Sequence, residues 1–410
     1  MKKLLLVLLI LSLFINHLNA NEKDLQIIQK DKKEYRLLDK ESIQTRQQSQ
    51  KYDWISPIDL SGNIGRNHSF SDENSRNLNN KNTKSASIGF TQSIFESGGI
   101  GFKMDYADNR FKYEMLSWEN QNSQLIYTIY NTLLDIKKLK LEINQNDYRI
   151  VNKDIELIIK KIQYEAGKTD IIELNNAIMS KNLILKEEIA LKNSLKEKEQ
   201  ELAKYTDLKY DEIEILDFQE TNKDIFLDKN YSILEADAKV EMLNSEYKIK
   251  KSQYLPKLSL SAKASYSSQD EKFNSMISDT NKDDATSSGS LILSMPLYDY
   301  TKSSKIQESK IEVLKQKALV NDLKNETAFE YEQIFTKIDT YLKQNETINK
   351  NIKLYEELIG ANQISSEAGM TSKYDLEILE NTKTINEFDI LINKINILQQ
   401  YAKLYFKIKN

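Results

Sequence analysis

The sequence predicts a mainly α-helical fold with a small β part. Only 3 prolines and 10 glycines occur in 410 residues, while 29% of the residues are charged, a composition typical of long helices. Apolar residues recur at seven-residue spacing over long stretches, and two other stretches alternate apolar and polar residues. We therefore expect long antiparallel coiled-coil hairpins of helices, together with four strands in two β-hairpins.

Residues 1–20 are predicted to be a signal peptide. Lys2 and Lys3 precede an apolar run from Leu4 to Ile15, and Ala20 offers a cleavage point. A membrane anchor is the alternative, but this run is short for a span. The chain has no cysteine, which excludes disulfides and a lipid-bearing cysteine. The net charge of −4 gives no indication of nucleic-acid binding.

Two five-residue turns, 165–169 and 367–371, organise the rest of the chain. Gly167 and Gly369 stand 202 residues apart, about half of the chain, and each lies between long helical patterns. A glycine there supplies the positive φ that lets one helix stop and the next return beside it. We therefore predict a duplication, with a first repeat over 21–205, an irregular equatorial insertion over 206–228 and a second repeat over 229–410.

Each predicted repeat opens with a helix and then a β-hairpin, over residues 57–95 and 256–296. Pro57 and Pro256 stand where helix gives way to strand, a place where proline is tolerated. Leu60 and Ile64 alternate with polar residues in the first β-hairpin, as Leu258 and Leu260 do in the second. The polar stretches 67–84 and 267–287 are predicted to be solvated loops.

The helical hairpins that follow carry a coiled-coil seam. In the first repeat the seam is predicted at Ile129, Ile136, Ile143, Ile150, Leu157 and Tyr164. In the second it is predicted at Tyr331, Ile334, Ile338, Tyr341, Ile348, Ile352, Tyr355 and Ile359, with polar Asn345 filling a gap, and it continues after the tip at Ile385, Phe388, Ile392 and Ile395.

Four strands of membrane-spanning length cannot close a barrel, and open sheet edges are not tolerated in lipid. Three chains contributing four strands each would give a shared trimeric 12-strand barrel, from which the helices would hang as an α-helical tunnel. The alternative is a soluble protein in which two β-hairpins decorate a coiled coil.

Three motifs carry a resemblance to a known family: Tyr-Leu-Pro-Lys-Leu-Ser-Leu at 254–260, Thr-Gln-Ser-Ile-Phe-Glu-Ser-Gly-Gly at 91–99, and Tyr-Glu-Ala-Gly-Lys-Thr at 164–169 with its copy. Their order and duplication make the chain resemble the TolC-like outer membrane efflux protein family over essentially its whole mature length. The resemblance implies a homotrimeric channel in the outer membrane with its helical tunnel in the periplasm. It also implies a periplasmic adaptor and an inner-membrane transporter as partners, in efflux or in type I secretion.

An enzyme is not expected, and neither a cofactor nor a metal site is predicted. The mature chain has one histidine, His68, in a polar stretch and no cysteine, so the usual metal and nucleophile constellations are missing from the sequence. The alternative to a channel is a periplasmic coiled-coil adaptor or structural protein without a membrane barrel.

Carboxylates just beyond the two tips are the candidates for a periplasmic gate. Glu173 and Asp375 each lie six residues after a tip glycine, and in a trimer each would form a ring of three negative charges. The family carries an aspartate at the Asp375 position and another three residues on, where this chain has Ile378 between Glu377 and Glu380. The positions of the family's latch residues are Ser366 and Thr371 here, so the latch is expected to differ. Solvated surface carboxylates are the alternative.

The tips themselves are candidates for docking the adaptor. Their small Ala-Gly-x-Thr sequence exposes backbone, and Thr169 and Thr371 follow Gly167 and Gly369 at the same offset. A simple helix reversal would need the glycine but not the threonine.

Overall fold

A computed structural model describes residues 25–69, 79–214, 216, 218, 220–270, 282–367 and 372–409. Internal contacts divide these residues into two compact units. The helical unit comprises residues 25–40, 116–234 and 321–409, and the sheet unit comprises 41–115 and 235–320. The predicted signal peptide, 1–20, lies outside the described residues.

The fold is mainly helical with one small sheet, as the sequence predicts. The described residues form the helices α1 Lys30–Tyr52, α2 Gly99–Glu165, α3 Ile171–Ala203, α4 Lys223–Asp228, α5 Tyr231–Ser252, α6 Lys302–Glu367 and α7 Lys373–Phe406. The strands are β1 Asp59–Ser69, β2 Asn79–Phe95, β3 Lys257–Asp270 and β4 Lys282–Ser294. The order helix, two strands, two helices occurs twice, and α4 lies within the segment predicted to be irregular. The predicted repeat boundaries stay a prediction.

The four strands of the sheet unit form one antiparallel sheet in the order β1-β2-β3-β4. The strands extend further into the polar stretches than the sequence predicts. β1 continues to Ser69 and β2 begins at Asn79, while β3 continues to Asp270 and β4 begins at Lys282. The predicted loops 67–84 and 267–287 are therefore too long. The ladder is made by backbone groups, so polar side chains at its end do not stop it.

The turn from β2 into α2 explains the glycines of the 91–99 motif. Ser97 and Gly98 both have positive φ, +52° and +88°, a conformation that glycine adopts without strain. The Ser97 hydroxyl donates to the Pro256 carbonyl over 2.6 Å, which ties the turn to the start of β3. A Cβ on Gly99 would lie 2.8 Å from Ser252 Oγ, so this position has no room for a side chain.

In the helical unit, α2 lies between α3 and α7, and α7 lies between α2 and α6. The contacts that establish this order are Arg149–Glu187 and Lys181–Asp154 between α2 and α3, Gln145–Asp389 between α2 and α7, and Asn345–Asn393 and Lys383–Glu356 between α6 and α7. A buried cluster in this unit brings Phe226 of α4 together with Ile334, Ile338, Leu404 and Ile408.

The predicted apolar seam holds in only part of α2. Ile129 and Ile136 are fully buried, as their seven-residue spacing predicts. Further along α2 the buried side chains are mostly polar, namely Gln145, Asn146 and Asn152, and Ile155 is the buried apolar one. Polar groups therefore replace most of the apolar seam in the part of α2 between Gln145 and the first tip.

Candidate functional site

The first tip is a helix-ending turn built around Gly167. The Lys168 N–H donates to the Gln163 carbonyl over 2.8 Å, and the Gly167 N–H donates to the Tyr164 carbonyl over 2.9 Å. These two bonds form a Schellman motif, which places the residue after the C-cap in the left-handed region. Gly167 has φ = +67°, the positive value that the sequence predicts for a tip glycine.

Two candidate residues beside this glycine contact each other. The Thr169 hydroxyl donates to Glu173 Oε2 over 3.1 Å, and Lys160 of α2 forms an ion pair with the same carboxylate. The Glu173 N–H donates to Asp170 Oδ1 over 2.9 Å, so Asp170 is the N-cap of α3. Thr169 and Glu173 thus stabilise the turn between α2 and α3, a local role that the sequence did not indicate.

The ion pair also sets the protonation of Glu173. The hydrogen bond from Lys160, followed by that from Thr169, lowers the pKa of the Glu173 carboxyl below its usual range. The carboxylate is therefore held ionised, and its charge is balanced by a lysine of its own chain.

The second tip is only partly described. Gly369 and Thr371 lie outside the described residues, so the structure says nothing of them. α7 begins after its N-cap Ser372, whose hydroxyl accepts from the Tyr374 N–H over 3.1 Å. Asp375 is the third residue of α7, as Glu173 is of α3.

Asp375 differs from Glu173 in its surroundings. Its side chain is exposed, and no hydrogen bond or ion pair joins its carboxylate to another of the residues described here. A carboxylate in the first turn of a helix interacts favourably with the helix dipole, which is a sufficient structural reason for an acid at this position. Glu377 and Glu380 are also exposed.

A run of polar contacts that the sequence did not reveal joins α2 to α7. We call it the polar ladder, and each of its rungs pairs one side chain of α2 with one of α7. The rungs are Asp135–Gln399 at 2.7 Å, Lys138–Asn396 at 3.0 Å, Gln145–Asp389 at 2.7 Å and Asn152–Thr382 at 3.3 Å. A buried polar group must be hydrogen-bonded to offset its lost hydration, so these pairs fix the antiparallel register of the two helices.

The polar ladder also indicates where Asp375 lies on α7. Asn396, Asp389 and Thr382 follow one another at seven-residue steps, and the next step leads to Asp375. Residues at this spacing share a helix face. Asp375 therefore lies on the face of α7 that contacts α2 further along the helix. The same seven-residue spacing of Lys138, Gln145 and Asn152 was the sequence signal that could have revealed the ladder.

The sheet has one apolar face. Its side chains project into solvent rather than into a core: Leu60 is 79% exposed and Leu293 is 73% exposed. Large apolar side chains so exposed indicate an interaction surface. The members that share this face by register include Leu60, Ile64, Ile88, Phe90, Leu258, Leu260, Ala264, Tyr266, Leu291 and Leu293.

The opposite face of the sheet, the hydroxyl face, is lined by serine and threonine. Its members by register are Ser61, Ser85, Ser87, Thr91, Ser93, Ser259, Ser261, Ser265, Ser267, Thr286, Ser288 and Ser290, with Ile292 among them. Cross-strand hydroxyl pairs form at Ser61–Ser87 (2.8 Å), Thr91–Ser261 (3.0 Å) and Ser265–Thr286 (2.7 Å). The sheet thus separates an apolar surface from a polar surface rich in hydroxyls, on which Asp59, Lys263 and Asp284 also lie.

Neither a membrane-spanning helix nor a metal-binding cluster occurs among the described residues. Among the helices described, none is long and apolar enough to cross a membrane. No group of three or more histidine, cysteine, aspartate or glutamate side chains is placed to hold a metal ion in the part of the chain that the structure covers.

Comparison with known proteins places the fold. Residues 224–403 match the family model described as outer membrane efflux protein. No curated protein matches the chain by sequence. The structure is similar to that of the outer membrane protein VceC from Vibrio cholerae, with a TM-score of 0.72 and 12% identity over 93% of this chain and 94% of that one.

Two outer membrane channels are similar to a comparable degree. The Campylobacter jejuni CmeC channel gives a TM-score of 0.70 and 12% identity over 92% of this chain and 84% of its own. The open state of the Neisseria gonorrhoeae MtrE channel gives a TM-score of 0.69 and 11% identity over 94% of this chain and 87% of its own. The resemblance to the TolC-like outer membrane efflux protein family is confirmed by the family model over residues 224–403 and by the fold, and the predicted mainly helical fold with a small β part is confirmed as well.

Proposed function

We propose that this chain, which resembles the TolC-like outer membrane efflux proteins in motifs and fold, forms a homotrimeric channel through the outer membrane. The observation that carries the proposal is the sheet, with its exposed apolar face, its hydroxyl face and its two edge strands β1 and β4. In lipid, an unpaired sheet edge leaves backbone groups without partners. Pairing β1 of one chain with β4 of the next removes both edges, and three chains make a barrel wide enough for a lumen.

In this arrangement the apolar face meets lipid and the hydroxyl face lines a water-filled lumen, which is the alternation found in membrane barrels. The helices form a periplasmic tunnel, and the chain serves as the passive exit duct of a tripartite efflux pump or a type I secretion system. A periplasmic adaptor and an inner-membrane transporter complete the pathway. The match to outer membrane efflux proteins supports this location and role.

Fractionation and native mass test this proposal together. We expect the protein in the outer-membrane fraction and, after extraction in mild detergent, at the mass of three chains. Recovery in the soluble periplasmic fraction would instead support the coiled-coil adaptor or structural protein. A monomeric mass with the strands still folded would refute the shared barrel.

The gate is proposed at Asp375, where three chains would bring three carboxylates around one axis. Such a ring attracts cations, and a multivalent cation bridging it would block the closed channel. Asp375→Asn removes the charge at nearly constant volume, so it should weaken cation preference and cation block in planar-bilayer recordings. Glu377→Gln and Glu380→Gln are the comparison, because they lie about 200° and 140° from Asp375 around the helix. An effect of either comparison variant without one of Asp375→Asn would show that another face lines the bore.

The first hairpin suggests a second gate variant. Glu173 is balanced by Lys160, and 202 residues later, at the position that matches Lys160, the second hairpin has Asn362. The Asn362 amide donates to the Leu358 carbonyl over 3.1 Å on its own helix. Asn362→Lys should supply Asp375 with a counter-charge and so weaken cation preference, as Asp375→Asn does. If Asn362→Lys changes nothing while Asp375→Asn does, the second hairpin does not match the geometry of the first.

Docking of the adaptor is proposed at the tips, at Gly167 and Thr169 and at their counterparts Gly369 and Thr371. No atom lies within 4 Å of where a Cβ on Gly167 would stand, so Gly167→Asn adds bulk outside the chain. Asparagine tolerates the left-handed conformation, which preserves the turn. We expect Gly167→Asn to reduce export and adaptor cross-linking while trimers still form.

Gly101→Ala is the matched control for docking, since a Cβ there is equally unopposed and lies far from the tip in sequence. Normal export and cross-linking with Gly167→Asn would mean that bare backbone at this tip is not what the adaptor contacts.

A further inference from the structure

Two opposite charges lie in one row across the hydroxyl face of the sheet. The register pairs Asp59 with Gly89, Gly89 with Lys263, and Lys263 with Ser288, so these four positions form a row through all four strands. The neighbouring row on one side is Ser61, Ser87, Ser265 and Thr286, and the row on the other side holds Thr91, Ser261 and Ser290. Both neighbouring rows are uncharged.

Asp59 and Lys263 do not neutralise each other by contact. They are two strands apart, about 9.5 Å at the usual strand spacing, with Gly89 between them. A Cβ on Gly89 would approach the Ala262 carbonyl oxygen to 3.0 Å. Glycine therefore leaves a shallow depression between the two charges, walled by hydroxyls. Both side chains are exposed, and neither has an ion pair among the residues that the structure describes.

We propose that Asp59 and Lys263 form a charge-balanced ring in the lumen of the barrel, which makes this part of the channel indifferent to the charge of a solute. The proposal rests on the trimeric barrel proposed above. Three-fold symmetry places three Asp59 carboxylates and three Lys263 ammonium groups in alternation around the lumen. Their contributions to the potential on the axis largely cancel, and the next charge on this face, Asp284, lies two rows away, opposite Ser267. Solutes of either charge meet a similar electrostatic potential there, whereas a ring of one sign would repel ions of that sign.

The chain has no cysteine, so a single introduced thiol can report the local potential. Ser87 is the position to use, because its register partners are Ser61 and Ser265, which makes it a diagonal neighbour of both Asp59 and Lys263. In membrane vesicles at low salt, Ser87→Cys would be treated with a cationic and an anionic thiosulfonate reagent of equal size. With both charges present, the ratio of the two rates should lie within about twofold of that for a free thiol.

Removing one charge should bias this ratio. At about 8 Å in water, one unit charge changes the local concentration of a singly charged reagent roughly 2.4-fold, which is about sixfold in the cation-to-anion ratio. Lys263→Gln should therefore raise the ratio about sixfold and Asp59→Asn should lower it about sixfold. The variant with both substitutions should return to the starting ratio. Thr91→Cys, in the row on the other side, is a second probe position should Ser87→Cys fail to assemble.

Failure of this inference is distinguishable from failure of the channel itself. Ile88→Cys lies on the apolar face and, in lipid, should react with neither water-soluble reagent. If the hydroxyl-face thiol reacts and Ile88→Cys does not, the barrel is supported, and an unchanged ratio in both charge variants then overturns the charge-balanced ring alone. If Ile88→Cys reacts as readily as the hydroxyl-face thiol, the apolar face is not in lipid and the channel proposal fails with it.

Discussion

The polar ladder between α2 and α7 makes a quantitative prediction at Gln145. This side chain is only 4% exposed, and its amide donates to Asp389 Oδ1 over 2.7 Å and to the Ile385 carbonyl over 2.9 Å. Gln145→Leu keeps the approximate volume but removes the donor from a partly buried carboxylate. A hydrogen bond to a charged group contributes about 1.5–3 kcal/mol, and a buried acceptor left unsatisfied costs a similar amount. We therefore expect a local destabilisation of about 1–3 kcal/mol.

A double substitution tests whether the loss arises from this pair. Replacing both partners by apolar groups is nearly neutral when the shape is kept, so Gln145→Leu with Asp389→Leu should cost less than the sum of the two single changes. Asn144→Leu is the control, because Asn144 is exposed on the same helix and should change stability by less than about 0.5 kcal/mol.

Amide hydrogen exchange in detergent is the suitable assay, since it measures opening of α2 and α7 without requiring two-state unfolding of a membrane protein. Protection should fall near residues 141–149 and 385–393 and persist in the cluster around Phe226. If Gln145→Leu leaves protection unchanged, the Gln145–Asp389 rung does not hold the helices in register. The same conclusion follows if the double variant loses as much protection as the two single variants together.

Three further predictions concern stability elsewhere in the helical unit. Phe226→Ala leaves a cavity at a fully buried site and should lower the free energy of unfolding by about 3–5 kcal/mol, seen as a lower thermal midpoint. Burial raises the pKa of Glu330, but hydrogen bonds from Lys403 and Lys407 outweigh burial and hold that pKa below its usual value near 4.5. The stabilisation by Glu330 should thus be complete above pH 4.5 and be lost as the pH falls through the lowered value, and Glu330→Gln should remove that part of the acid dependence of circular dichroism. Gly167→Ala forces a side chain into φ = +67° and should destabilise the turn by about 1 kcal/mol, seen as faster amide exchange at the tip. Gly167→Asn should destabilise the turn less, because asparagine tolerates the left-handed conformation.

The features that the sequence predicted well are those set by local chemistry. A lone glycine between two helical patterns requires a positive φ, and Gly167 has one. Alternation of apolar and polar residues predicted strands, because a strand with one apolar face repeats every two residues. The ends of the strands were missed for the converse reason. At Asn79 and Asp270 the sequence has no apolar alternation, and only pairing with the neighbouring strand extends the ladder there.

The partners of polar residues were not predictable in the same way. Gln145 and Asn152 stand among lysines and glutamates, where the sequence alone indicates a solvated helix face. Their burial depends on α7, which is more than two hundred residues away in the chain. Thr169 was interpreted as a docking residue because a helix reversal needs no threonine. That role stays a prediction. The Thr169 hydroxyl also contacts Glu173, and this contact depends on the angle at which α3 returns, which the sequence does not give.

The two hairpins therefore differ in whether the carboxylate at the matching position forms an ion pair. Glu173 and Asp375 are each the third residue of the helix after a tip, yet only Glu173 meets a lysine, because Asn362 stands where the repeat would place a second one. A carboxylate paired within its own chain adds little to the field along a channel axis, since the lysine cancels it at short range. An electrostatic ring needs carboxylates without such a partner. Of the two positions, Asp375 meets that condition in the described residues, which favours the second hairpin as the gate and leaves Glu173 as a fastening of the first tip.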